Sequence, residues 1–190
     1  MVPLVKEKYW AIIAVVLLGL GGFEVYWLSR GADDAEPPPV RPTEYFPHLE
    51  VGEIAPAFDA AKMDGGSERV AYPEAGQKTL VFVMSLTCGA CTSTIPHWNR
   101  IAAQTKGQAR ALGLIVGSYE NEAELLREKG LTFPALRFPD QKTQFLYKVT
   151  KVPQTLLVGP KGKVEQVIVG ELAEPQIEDL IARAKGSGTE

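Results

Sequence analysis

Trp10 to Phe23 is apolar without a break, a run of fourteen residues, and after Glu24 the apolar pattern resumes through Leu28. Tyr9 to Leu28 supply twenty residues, the length that crosses a bilayer core, with Glu24 near one interface, where a charge costs far less than at the midplane. Tyr9, Trp10, Tyr26 and Trp27 fall at the two ends, as an interfacial aromatic belt requires. No polar stripe interrupts the run, so a half-buried core helix is a poor description. Gly31 to Pro47 then holds five prolines and little apolar material, the composition of a stiff, extended spacer.

From His48 onward the pattern is that of a folded domain. Thr79 to Ser85 and Ala111 to Gly117 are short runs apolar on both faces, which predicts buried strands. A helical stretch, Thr92 to Gln104, follows the first. Ser118 is positioned to cap a second helix, with Glu120, Glu122 and Glu124 early, Arg127 and Lys129 late, and Gly130 as its stop. The Glu-rich run at 120–128 is expected to be an exposed helix face. Asp140 is placed to cap a short helix, Gln141 to Lys148. Thr155 to Val158, a turn at Gly159 to Gly162, and Lys163 to Val169 predict a hairpin. Pro175 suits the first turn of a closing helix that ends near Lys185. The expected organisation is a cytoplasmic N-terminus at 1–8, a transmembrane anchor at 9–28, a Pro-rich linker at 29–47, a domain at 48–185 and a flexible tail at 186–190.

Charge refines the picture. Lys6 and Lys8 precede the apolar segment, whereas Asp33, Asp34 and Glu36 follow it. That asymmetry puts the N-terminus in the cytoplasm and the domain on the periplasmic or extracytoplasmic side of an inner membrane. A retained anchor is favoured over a cleaved signal peptide, for which Ser29-Arg30-Gly31 is a weak site. A net charge of −3 with no basic cluster gives no sign of a nucleic-acid partner.

The chain has two cysteines in 190 residues, and they stand three apart, as Cys88-Gly89-Ala90-Cys91. Two cysteines cannot staple a scaffold, and a zinc site wants four ligands. Cys88 falls where a buried strand gives way to a helix, where unpaired amides and the helix dipole stabilise a thiolate. Cys91 lies one turn further, within reach of a disulfide. The pair reads as a redox centre, with Cys88 the exposed, acidified attacker and Cys91 the resolving thiol. Inert buried thiols and a metal site that includes His97 are the other readings of the spacing. No metal and no separate cofactor is expected; the Cys88–Cys91 disulfide itself carries the electrons.

Val51 to Phe58 (VGEIAPAF), the Cys88–Cys91 motif, Phe133 to Leu136 (FPAL) and Val152 to Val158 (VPQTLLV) together resemble the TlpA/ResA branch of the thioredoxin superfamily. The resemblance spans roughly residues 49 to 184. It implies an α/β thioredoxin-like fold, a central mixed sheet flanked by helices, and an N-terminal membrane anchor. Gly89 and Ala90 complete the motif. Pro96 matches the family's kink in the active-site helix, where proline removes a helical hydrogen bond. Pro153 matches the family's cis-proline, which leaves the Val152 backbone to pair with an extended substrate chain.

This sequence also departs from the pattern. Thioredoxins carry an acid six residues before the first cysteine, where Phe82 stands. Some ResA-like reductants carry a glutamate three after the second, where Thr94 stands. Thr87 replaces the tryptophan that usually precedes the first cysteine.

The resemblance implies an enzyme that exchanges thiols and disulfides with client proteins and with a redox partner that gives or takes electrons. As a reductant it would serve cytochrome c maturation or metal-centre assembly; as an oxidant it would resemble the methylamine-utilisation proteins. Two further readings stay open. A dithiol can bind copper, and the Val51–Phe58 opening also occurs in peroxiredoxins. Those carry a proline and a threonine where Val81 and Ser85 stand.

Overall fold

The computed structural model describes residues 47–72 and 76–186. The expected N-terminus, the anchor and all of the linker but Pro47 lie outside the described residues, as does the tail beyond Gly186. Among the described residues no helix is long and apolar enough to cross a membrane.

Seven strands form one mixed sheet in the order β2-β1-β5-β4-β3-β6-β7. They are β1 (Phe58–Ala61), β2 (Ser67–Val70), β3 (Lys78–Met84), β4 (Ala109–Ile115), β5 (Ala135–Arg137), β6 (Gln154–Val158) and β7 (Val164–Val169). Strands β3, β4 and β5 run parallel, and the remaining pairs are antiparallel. The helices are α1 (Gly89–Gln104), α2 (Glu122–Glu128), α3 (Gln141–Leu146) and α4 (Glu174–Ala184).

The continuous apolar run of β3 is explained by its place between β4 and β6. Leu80, Phe82 and Met84 face one layer, packed with Ile95, Trp98 and Ile101 of α1 and Ile177 and Leu180 of α4. Val81 and Val83 face the other, with Leu156, Phe58, Phe138 and Tyr147. A strand that alternates its side chains between two covered faces has no polar position to offer. In the second layer Phe58, Phe138 and Tyr147 contact one another with ring centroids 5.3 to 5.4 Å apart. The Tyr147 hydroxyl donates to the Pro56 carbonyl at 2.8 Å and lies 2.7 Å from that of Tyr72. Tyr147→Phe strands both partners and is expected to cost about 1–3 kcal/mol, read as a fall in the denaturant midpoint at unchanged slope.

Several boundaries differ from the sequence expectation for physical reasons. Helix α1 begins at Gly89, three residues early, because Cys88 serves as its N-cap. The cap of α2 is Asn121 in the left-handed region, not Ser118; the Ser118 hydroxyl instead accepts from Arg137 at 3.0 Å. The Glu-rich run is not wholly an exposed face, since Glu122 is buried and ion-paired with Arg137 at 2.9 Å. Helix α3 stops at Leu146, and Lys148 has a positive φ of 50°; its Asp140 cap is as expected, accepting Thr143 N–H at 2.7 Å. The hairpin β6–β7 forms, with Gly162 at φ 82° in its turn, where a Cβ would lie 2.6 Å from the Ala55 carbonyl. The strands of the β1–β2 hairpin and β5 are only four, four and three residues long, too short for a period to show in the sequence.

Candidate active site

The site is assembled at the C-terminal edge of the parallel strands, where open α/β sheets bind their ligands. Strand β3 ends at Met84, and the chain passes through Ser85-Leu86-Thr87 into Cys88. Cys88 keeps extended backbone angles (φ −84°, ψ 116°), and its sulfur accepts the Cys91 N–H at 3.2 Å. That is the geometry of an N-cap, in which a side chain takes one of the orphan amides of the first turn. The sulfur is directed at a ready-made hydrogen-bond donor.

Register brings the second half of the site to the same edge. Val83 pairs with Gln154, so the next residues along, Met84 and Pro153, approach each other where the strands end. The Val152–Pro153 bond is cis, and the Cys88 thiol donates to the Val152 carbonyl at 3.9 Å. Val152 thus lies directly beside the sulfur that precedes the helix.

The two sulfurs differ sharply in surroundings. Cys88 is half-buried, whereas Cys91 is only 1% exposed; neither is in a disulfide. Burial pushes the Cys91 thiol up from 9.0 to about 12, with its hydrogen bond to Cys88 adding to the rise and a main-chain hydrogen bond from Ser85 opposing it. A buried sulfur loses the solvation that its anion requires.

The positions without an acid are filled by side chains with other tasks. Phe82 is fully buried, its ring centroid 5.4 Å from Trp98 and 4.9 Å from Phe133. Thr94 is buried and donates its hydroxyl to the Ala90 carbonyl at 2.7 Å. Thr92 and Ser93 likewise back-bond to Cys88 and Gly89, each at 3.3 Å, so the first three of the motif's four carbonyls receive hydroxyls. Thr87 is exposed, its hydroxyl 3.2 Å from that of Ser85. Gly89 and Ala90 form the first turn of α1. Pro96 lies inside the helix, which continues to Gln104, and it withholds the amide that would otherwise reach the Thr92 carbonyl. Trp98, two turns beyond Cys91 on the same face of α1, donates to Thr155 at 2.9 Å and ties α1 to β6.

The other readings find these surroundings. Among the described residues no three His, Cys, Asp or Glu side chains gather as a ligand set. Val81 lies within β3, and the Ser85 hydroxyl is 2.7 Å from that of Tyr119.

A sequence model of the AhpC/TSA family matches residues 51–167, which takes in the opening segment, both cysteines and Pro153. The chain belongs to the AhpC/TSA family. Within it, the chain is 27% identical over 132 residues to the thiol-disulfide oxidoreductase ResA of Geobacillus kaustophilus, covering 68% of this chain and 75% of that protein. Among solved structures it is similar to StoA of Bacillus subtilis, with a TM-score of 0.55 and 20% identity over 67% of this chain and 97% of that one. It is also similar to the thioredoxin domain of a thiol-disulfide oxidoreductase of Bacteroides vulgatus, with a TM-score of 0.60 and 18% identity over 71% and 97%. The two structural likenesses establish the thioredoxin-like fold. With its redoxin domain and its ResA-like relatives, this AhpC/TSA member is a thiol–disulfide oxidoreductase. The resemblance read from the sequence holds.

Proposed function

We propose that the chain is a membrane-tethered, extracytoplasmic oxidoreductase that exchanges disulfides with client proteins through Cys88 and Cys91. The observation that carries this reading is the inequality of the pair: one sulfur at the helix mouth beside Val152, the other buried one turn inside. In the reducing direction the Cys88 thiolate attacks a client disulfide, whose S–S bond breaks as a Cys88–client bond forms; the departing client sulfur takes a proton. Cys91 then loses its proton and attacks the Cys88 sulfur, the second client thiol leaves, and two electrons have passed to the client. The Cys88–Cys91 disulfide is re-reduced by a donor redox protein. The reverse sequence oxidises a client, and the same roles hold.

Val152 orients the partner by offering backbone to an extended client segment, and Pro153 holds that backbone at the sulfur. No group beyond the two cysteines carries electrons. The ResA-like relatives and the apolar segment at 9–28 favour a reductant that acts outside the cytoplasm on thiols destined for cytochrome c or another metal centre.

The test uses full-length protein in sealed membranes. A membrane-impermeant maleimide should label Cys88 from the extracytoplasmic side, and Cys88→Ala should reduce turnover of a disulfide substrate to background. Turnover that survives Cys88→Ala, or labelling only from the cytoplasmic side, contradicts the reading.

A further inference from the structure

Ser85 touches both cysteines through its main chain. Its carbonyl accepts the Cys88 N–H at 3.3 Å, and a main-chain hydrogen bond from Ser85 acts on the Cys91 thiol. Its side chain serves neither sulfur. The hydroxyl lies 2.7 Å from that of Tyr119 and 3.2 Å from that of Thr87, and accepts the Thr87 N–H at 3.4 Å.

The order of donors follows from proton count. The Tyr119 hydroxyl donates to the Val116 carbonyl at 3.0 Å, and a phenol has one proton to give. Its oxygen therefore accepts from Ser85, and Ser85, its own proton committed, accepts from Thr87. The chain of hydroxyls runs inward from the surface beside Cys88 to the end of β4.

Tyr119 is itself held. Its N–H donates to Glu122 at 2.8 Å, and that buried carboxylate is paired with Arg137 on β5. The ring lies across Gly117, whose absent Cβ would stand 3.0 Å from the Tyr119 oxygen. Three strand ends, β3, β4 and β5, are thereby linked by polar contacts to the segment that carries the first cysteine.

That segment needs such a link. Between β3 and α1 the chain is a turn outside strand and helix; Cys88 at its end is tied to Val152, Cys91 and Thr92, and upstream of Cys88 the tethers are the buried Leu86 and the contacts of Ser85. Closing a disulfide demands sulfurs about 2.05 Å apart with Cβ atoms near 3.8 Å, and a misplacement of about 1 Å can cost a reaction roughly a hundredfold.

We propose that Tyr119 and Ser85 are positioning residues for the dithiol: the Tyr119 hydroxyl fixes Ser85, Ser85 fixes the turn into Cys88, and together they set how fast Cys91 closes on Cys88 and where the dithiol–disulfide equilibrium lies. This rests on the exchange reading above and adds to it two residues outside the Cys-Gly-Ala-Cys motif and the cis-proline.

The test compares full-length Tyr119→Phe, Ser85→Ala and Ser85→Thr with the unchanged chain. Glutathione disulfide is the probe. The rate at which the Cys88–glutathione adduct closes to Cys88–Cys91 is followed in a single turnover, and the equilibrium constant against glutathione is measured separately. Tyr119→Phe and Ser85→Ala should each slow closure and displace the equilibrium by about tenfold, the loss of one hydrogen bond's worth of order. Ser85→Thr keeps the hydroxyl and should stay within about threefold of the unchanged chain, and the double variant should be no slower than the slower single, as one chain of bonds requires. Tyr147→Phe, which removes a hydroxyl in the opposite layer, separates loss of stability from loss of position. The proposal is overturned if Tyr119→Phe and Ser85→Ala leave both quantities within about twofold, or if Tyr147→Phe moves them equally. A chain that forms no adduct at all overturns the exchange reading, and this proposal with it; one that closes normally in every variant overturns this proposal alone.

Discussion

Cys91→Ser leaves Cys88 joined to whatever it has attacked. Serine preserves the size of the buried side chain but supplies no thiolate, and exchange requires one. The first step stays intact, because Cys88 keeps its place at the helix mouth and the Cys91 backbone amide that donates to it at 3.2 Å is unaltered. Release by the internal route is removed altogether, so catalytic turnover should drop by at least about a thousandfold, with only slow rescue by external thiols. Mixed disulfides should accumulate on full-length Cys91→Ser and disappear on addition of dithiothreitol. Cys88→Ser should capture nothing, since the remaining sulfur is buried. Equal capture by the two single variants would contradict the division of roles.

The second large effect is the inertness of Cys91 itself. Burial is the principal cause that carries its thiol from 9.0 to about 12, and burial persists in Cys88→Ser. In the unchanged chain a thiol raised to about 12 holds about a thousandfold less thiolate at neutral pH than an ordinary thiol has; the part of the rise owed to Cys88 is lost in the variant and the part owed to burial stays. Greater basicity returns part of this: a Brønsted slope of 0.4–0.5 recovers roughly twentyfold in nucleophilicity. Alkylation of Cys91 by iodoacetamide in Cys88→Ser should therefore be slower than that of an exposed model thiol, by up to about fiftyfold before steric exclusion is added. The rate should keep rising above pH 9, where that of an exposed thiol levels off. A plateau near pH 9 would show that Cys91 is solvated.

Stability carries the same signature with a fixed sign. Because the folded thiol holds its proton to higher pH than the unfolded one, unfolding releases a proton between about 9 and 12. Its contribution is complete below 9 and is lost as pH climbs through that window. The Tyr72 phenol, also raised by burial to about 12, loses stability over the upper part of the range, so a comparison with Cys91→Ala isolates the thiol.

The architecture was legible wherever a local rule had no competitor. The two-sided apolar run of β3 could only be a central strand, and Asp140, Pro175 and the Gly159–Gly162 turn act as their local chemistry demands. The cysteine pair was legible for a similar reason: spacing and a strand-to-helix junction together specify a place as well as a residue. What escaped was set by tertiary contacts. Ser118 has the right side chain for a cap, but Arg137, nineteen positions away, claims it. Glu122 looks like any surface glutamate until the same arginine draws it inward. Strand β5 is three residues long and is defined by its parallel neighbour, not by its own pattern. Tyr119 and Ser85 were invisible as a pair because 34 residues separate them; the parallel ends of β3 and β4 bring them together.

The most direct test of the account maps the first covalent intermediate in the unchanged, full-length protein. Reduced protein is mixed with glutathione disulfide, quenched in acid within milliseconds, and the adduct is located by peptide mass spectrometry. Glutathione is expected on Cys88 first, and that adduct is then replaced by the Cys88–Cys91 disulfide. An adduct that forms first on Cys91, or that persists on Cys88 without closing, would contradict the account.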